Sequence, residues 1–270
     1  MRDLLSATDI HVALPDRSRS SVFGKTPLIE ILKGVDISLA PGEALGVVGE
    51  SGSGKSTLGR ALLRIYEPQQ GTILFDGFDI THMADVQLGE FRPRMQMIFQ
   101  DSQSSLNPRQ RILDILVAPF VEHGLASGAE ARKRAIDLLE RVGMNAQHAM
   151  RYPHQLSGGQ RQRVGIARAL ALKPKLIVAD EIVSGLDVSV QAQILALLRT
   201  LRAEDKIGLI FISHDLSVVR SICDRVTVMR GGSVVESGTC SSVFAAPQHE
   251  YTRTLLRAIP LPVVDSNWLQ

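Results

Sequence analysis

No stretch of this 270-residue sequence approaches the roughly eighteen consecutive apolar residues that a membrane-spanning helix needs. Its opening, MRDLLSATDI, carries an acid where a secretory leader would have an apolar run. The chain is therefore expected to stay in the cytosol, and any role at a membrane must be played from the surface, through partners. Cysteine is nearly absent: Cys223 and Cys240 lack metal-ligand spacing, which points to small packing residues in a reducing compartment. An excess of one charge is lacking too. Thirty Lys and Arg against 28 Asp and Glu leave a net +2, too little for a nucleic-acid-binding field over the whole surface. Aromatics make up only 4%. What is present, 44% hydrophobic residues with 22 Gly and 12 Pro, is the composition of a globular α/β protein rather than a disordered or fibrous one. The length allows one large domain or two modest ones, either able to bury a core without disulfides or metal clips.

Strand signals come first. Leu28 to Ile31 and Val35 to Leu39 are β-rich, and the Pro41-Gly42 turn leads into the short apolar run Ala44 to Val48, which suits a buried parallel strand. Thr57 to Arg64 then reads as a helix. Thr72 to Phe75 meets Asp76-Gly77, a dipeptide favouring the positive φ of a tight hairpin, so a peripheral antiparallel sheet is expected. From Asp101 to Leu156 the strand signal fades, and Ala135, Ile136, Leu139 and Val142 recur at helical spacing within 129–142. Strands return at Lys175 to Asp180, Gly208 to Ser213 and Arg225 to Met229, alternating with helices at Val188 to Arg202 and Leu216 to Ser221. This alternation implies a parallel sheet with crossover helices, interrupted by a helical insertion. Arg17, Arg19 and Lys25 fall in a Ser-rich stretch read as a solvated loop without assigned function.

Between the Ala44 run and the following helix stands Gly49-Glu50-Ser51-Gly52-Ser53-Gly54-Lys55-Ser56-Thr57, a P-loop pattern in its proper strand-loop-helix setting. Glycines let successive backbone N–H groups face one point, and the next helix adds its positive end, so a triphosphate's charge fits there. Lys55 is placed for the β- and γ-phosphates, Ser56 for Mg²⁺ and Thr57 for the α-phosphate. A second apolar strand ends in Asp180-Glu181, and strand alternation is expected to point the two carboxylates to different sides. Asp180 then suits the Mg²⁺ shell, and Glu181 can accept a proton from, or orient, an attacking water. Alone, such a strand end fits a helix cap equally well.

Leu156-Ser157-Gly158-Gly159-Gln160 matches the signature sequence of ATP-binding-cassette (ABC) ATPases letter for letter. Gln100 in Ile98-Phe99-Gln100 resembles the family's Q-loop, Ser184-Gly185-Leu186-Asp187 its D-loop, and Ser213-His214-Asp215 its H-loop, all in the family's order. The resemblance spans about Leu5 to Pro260. It implies an α/β fold with a P-loop NTPase core, a mainly parallel sheet, a peripheral antiparallel β-subdomain, an α-helical subdomain inserted at about 101–156, and a tail at 261–270. It further implies that His214 contacts the γ-phosphate, that Gln100 senses Mg²⁺ and the attacking water, and that Asp187 lines the nucleotide site. Gly158-Gly159 before the helical segment Gln160 to Leu172 makes a second anion-facing helix end. In the family, two subunits pack head to tail and the signature of one closes over the P-loop nucleotide of the other.

Finer phrases resemble the oligopeptide, dipeptide and nickel importer ATPases of bacteria. These are Gln100-Asp101 through Ser105-Leu106-Asn107-Pro108-Arg109, Tyr152-Pro153-His154-Gln155 before the signature, and Tyr251-Thr252-Arg253-Thr254-Leu255-Leu256 with Ala258-Ile259-Pro260. In that branch the subunit, paired with a second ATPase, sits under two permeases at the cytoplasmic face of the inner membrane. An extracytoplasmic binding protein serves the permeases; peptide is the expected cargo, nickel or another small solute the alternative, and nucleic acid is not an expected partner. Three departures stand out. Ile10 to Pro15 offers only His11 and Leu14 where an adenine-stacking aromatic is usual, so base discrimination is expected to be weak. Ile182 replaces the usual proline, which is expected to loosen the turn carrying Glu181, and Gly185 replaces a more usual alanine. The first two motivate a rival, an ATP-switched binding module with vestigial hydrolysis. A soluble cassette ATPase of DNA repair or translation is a second rival, but such relatives tend to carry coiled coils or paired cassettes, and this chain shows neither heptads nor a repeat.

Overall fold

The computed structural model describes residues 3–16, 27–100 and 105–258. The stretch holding Arg17, Arg19 and Lys25, Asp101 at the start of the expected helical insertion, and the 261–270 tail lie outside them. In chain order the first elements are β1 (Leu5–Pro15), β2 (Leu28–Leu39), β3 (Ala44–Val48), α1 (Lys55–Leu62), β4 (Gln70–Phe75), β5 (Phe78–Asp79), α2 (Asp85–Leu88), β6 (Met95–Ile98), α3 (Ile112–Glu122) and α4 (Gly128–Arg141). There follow α5 (Gly158–Leu170), β7 (Leu176–Asp180), α6 (Val188–Asp205), β8 (Gly208–Ile212), α7 (Leu216–Ile222), β9 (Arg225–Arg230), β10 (Ser233–Thr239), α8 (Cys240–Ala245) and α9 (Glu250–Arg257).

Six strands form one sheet in the order β10-β9-β3-β8-β7-β6, parallel except at the β10–β9 edge. Every residue of β3, β7 and β8 is buried. The reason is visible in the side-chain alternation. Leu45, Val47, Leu176, Val178, Ile210 and Ile212 join one hydrophobic core, and Ala44, Val48, Ile177, Ala179, Leu209 and Phe211 join the other. A sheet covered on both faces leaves no polar positions in its central strands, so they read as unbroken apolar runs.

The first core lies under α1 and a second, antiparallel sheet of order β2-β1-β4-β5. The two β-rich stretches expected at Leu28 to Ile31 and Val35 to Leu39 are one strand; Gly34, at φ 68°, marks an irregularity in its pairing with β1 rather than a break. The Asp76-Gly77 hairpin is present, with φ 50° and 85° at its two residues. Asp76 also accepts from Arg94 and, at 2.9 Å, from Lys175 Nζ, which ties the hairpin to the larger sheet. The second core is covered by α3, α4, α5, α6 and α7, with α3 packed on both α4 and α5. Cys223 and Cys240 are free and buried in this core; burial pushes the Cys223 thiol well up and the Cys240 thiol to about 11. Neither is poised as a nucleophile.

No helix among the described residues is long and apolar enough to cross a membrane.

Ile182 lies in this second core at 2% exposure, immediately after Glu181. The turn is held by that anchor and by hydrogen bonds: Glu181 N–H donates to Ile212 O (3.0 Å), and both Ser184 N–H and Ser184 Oγ–H donate to Glu181 O (3.1 and 2.7 Å). The loosening expected from the missing proline is therefore not what the structure shows. Ile182→Ala is expected to lower stability by about 2–5 kcal/mol through the cavity it opens, measured by denaturant unfolding. A change below roughly 1 kcal/mol would remove Ile182 as the anchor.

Candidate functional site

β3 delivers the chain into the loop 49–54 and α1 begins at Lys55. Gly49 must be glycine: its φ is 152° and an added Cβ would lie 2.2 Å from Met229 O on β9. Gly54 caps α1 without a side chain to take the orphan N–H groups of the first turn. Lys55 is 5% exposed, and its Nζ donates to Gly49 O (2.8 Å) and Glu50 O (2.7 Å). Burial lowers its ammonium pKa below the ordinary lysine value, against the opposing pull of the Glu181, Asp180 and Glu50 carboxylates. Ser53 is buried, and its hydroxyl has no hydrogen-bond partner among the described residues. Helix amides, a buried cation and a hydroxyl converge on one point, a cradle suited to an anion.

The carboxylates come from the end of β7. Asp180 is the last strand residue, 3% exposed, and accepts from Ser56 Oγ at 2.8 Å. Burial raises its pKa above the ordinary aspartate value, with the Ser56 hydrogen bond acting in the opposite direction. Glu181 is already out of the strand, at φ 48°. The divergence of the two carboxylates thus comes from a left-handed turn, not from strand alternation. Glu181 Oε2 accepts from Gln100 Nε2 (3.0 Å) and lies 3.5 Å from His214 Nδ1. Gln100 follows β6, and His214 follows β8 after Ser213, whose N–H donates to Val47 O (3.1 Å). Parallel strands β3, β6 and β7 therefore bring their carboxyl ends to one cleft of about 370 Å³, lined by Ser51, Gly52, Gly54, Lys55, Ser56, Thr57, Gln100 and Glu181, with His214 at the end of β8 meeting it through Glu181. Such a crevice at the strand ends is where open α/β sheets bind ligands.

A hydroxyl and a carboxylate 2.8 Å apart are a hard-oxygen pair suited to Mg²⁺. No cluster of three or more His, Cys, Asp or Glu able to hold a metal occurs among the described residues.

The signature residues do not line this cleft. Ser157 is exposed and caps α5 in a reciprocal box: its Oγ accepts from Gln160 N (3.3 Å) and its N–H donates to Gln160 Oε1 (3.0 Å). Gly158 is half-buried. Gly159 is buried against α6, where a Cβ would lie 2.3 Å from Val190 Cγ1, so it serves close helix packing rather than an exposed backbone surface. Asp187 caps α6, accepting from Val190 N (2.9 Å) and Ser189 Oγ (2.7 Å), and the Ser189 hydroxyl holds its carboxyl below the usual aspartate value. Gly185 sits at φ 74°, a conformation its more usual alanine would strain to adopt. His11 is held by Glu30 (2.7 Å) and Asp9 (3.1 Å), and the Glu30 hydrogen bond raises its pKa.

Two residues at the site carry no sequence signal of a role there. Ile31 lines the cleft beside Gly54, and Tyr251, from α9, reaches the loop through its hydroxyl. The first looks like any strand residue. The second stands 201 positions from its loop partner, Glu50, and only the fold brings it there.

The sequence profile of the ABC transporter family matches residues 32–184. Over 242 residues the chain is 48% identical to the dipeptide transport ATP-binding protein DppF of Lactococcus lactis subsp. cremoris, covering 88% of this chain and 78% of that one. It is 51% identical over 244 residues to the glutathione import ATP-binding protein GsiA of Salmonella paratyphi A, and 53% over 233 residues to GsiA of Escherichia coli O6:H1. These alignments cover 90% and 86% of this chain but only 39% and 37% of the GsiA proteins. Among solved structures, the dimeric post-hydrolysis state of the ATP-binding cassette MJ0796 bound to ADP and Pi superposes with a TM-score of 0.76 at 30% identity, over 87% of this chain and 98% of that one. With a profile match across the P-loop and the Asp180-Glu181 turn, and the fold of a solved cassette, the chain belongs to the ABC transporter family.

Proposed function

We propose that this chain is the ATP-hydrolysing subunit of a bacterial ABC importer of small peptides, docked under two permeases at the cytoplasmic face of the membrane. The observation that carries the reading is the Glu181 carboxylate, held by Gln100 at the lip of a P-loop cleft. Gln100 and His214 both meet Oε2, so among the described residues Oε1 is the oxygen left to face a water and take its proton. Lys55 and the α1 amides hold the phosphates. Ser56 and Asp180 would hold Mg²⁺, which when bound supplies charge neutralisation on the phosphates. Ser157 and Gly158 close the cleft of a second cassette, self or homologous, which matches the dimeric state of the MJ0796 structures. The importer role and the cargo rest on the relatives named for dipeptide and glutathione import. Both cargoes are small peptides, and an extracytoplasmic binding protein would deliver them.

Purification of the native complex from its membrane, followed by reconstitution in vesicles, tests this. ATP-dependent uptake of a dipeptide or of glutathione is the expected result. Recovery with nucleic acid and no integral membrane partner would instead favour the soluble-ATPase rival.

A further inference from the structure

We propose that Tyr251 is a positioning residue for the phosphate loop, its phenol holding the Gly49–Glu50 peptide in place from the C-terminal helix. Glu50 N–H donates to Tyr251 Oη at 3.0 Å, while the carbonyl of Gly49 accepts from Lys55 Nζ at 2.8 Å. That N–H and that carbonyl belong to one planar peptide unit. The plane is therefore gripped at both ends, by the lysine on the cleft side and by the phenol on the outer side. It matters that the unit begins at Gly49, because a residue without a Cβ restrains the rotation of the following peptide less than any other residue type would. Whenever Lys55 turns toward a phosphate and loosens its hold on Gly49 O, Tyr251 is the grip that remains.

The phenol is delivered by a built support. Tyr251 is 5% exposed, and the Arg230 guanidinium lies 4.9 Å from its ring centroid. Glu236 on β10 accepts from Gln248 N (2.8 Å) and His249 N (3.0 Å), which fixes the approach to α9. His249 then caps the helix, accepting from Tyr251 N at 3.1 Å. Arg253 closes back on Pro247 O and Gln248 O. A hydroxyl that merely found a convenient donor would not need this support. The role rests on the reading that the loop holds ATP phosphates, but the clamp itself can be measured without nucleotide.

Tyr251→Phe removes the acceptor and keeps the ring against Arg230. In the full-length chain without nucleotide, amide hydrogen exchange at Glu50 is expected to speed up about tenfold or more. ADP affinity measured by calorimetry should fall about tenfold, and in the assembled complex KM for ATP should rise with kcat within about twofold. Unchanged exchange at Glu50 together with unchanged ADP affinity overturns the proposal. Should the variant fail to fold, the parent chain still decides: a Glu50 amide that exchanges at the rate of an open loop is equally fatal. The unsubstituted chain is the control for the ATPase reading: if it binds no nucleotide with Lys55 intact, that assignment fails while the exchange result still judges the clamp.

Discussion

Glu181→Gln is expected to cut steady-state ATP turnover of the assembled complex by about a hundred- to ten-thousand-fold, the span that a positioned general base contributes. The substitution is nearly isosteric, so packing around the turn survives. Ile182 stays in the core and the Glu181 peptide keeps its bonds to Ile212 and Ser184. What changes is chemistry. The carboxylate that accepts from Gln100 at 3.0 Å becomes an amide that cannot take a proton. Lys55, Ser56 and Asp180 are untouched, so ATP affinity should stay within about threefold and the ATP-bound dimer should accumulate. A turnover rate indifferent to this change would end the claim that Glu181 serves hydrolysis and would revive the ATP-switched binding module.

Much of the core was legible because burial on both faces writes itself into sequence. The fully buried β3, β7 and β8 read as apolar runs, and the loop after β3 carries glycines where the backbone has no alternative. β6 was invisible: Met95–Ile98 is four residues long with Gln96 in its middle, too short for a periodicity to register, yet it places Gln100. α3, with Pro119 inside it, was covered only by the general expectation of a helical insertion, and no helix of its own was read over Ile112–Glu122. β10 is half-exposed throughout and lacks a buried face to mark it. The tail around Tyr251 was legible only as a branch resemblance, because a contact across 201 residues is a property of topology, not of pattern. The Ile182 turn shows the opposite limit. Local propensity read the missing proline as a loss of rigidity, whereas tertiary burial of the isoleucine and three hydrogen bonds to the Glu181 backbone supply the constraint instead.

The second large effect separates the P-loop cleft from the Ser157 turn. Lys55→Ala removes a buried ammonium from the cleft together with its grip on two loop carbonyls, and charge-assisted bonds of this kind are worth enough that nucleotide affinity should fall about a hundredfold or more. Ser157→Arg acts elsewhere. Ser157 is exposed, lines no part of the P-loop cleft, and its loss as a cap costs about 1 kcal/mol, so the folded monomer should bind ATP within about twofold of the parent. In the proposed head-to-tail pair, however, the new cation and its bulk would stand between the Ser157 turn and the partner's nucleotide. ATP-dependent dimerisation, read by light scattering in the Glu181→Gln background, should be lost in both variants, but for different reasons: one lacks nucleotide, the other lacks closure. Equal loss of binding in both would mean that Ser157 belongs to its own chain's cleft. The shared-site arrangement would then fail, and with it the reason for a cassette to work in pairs.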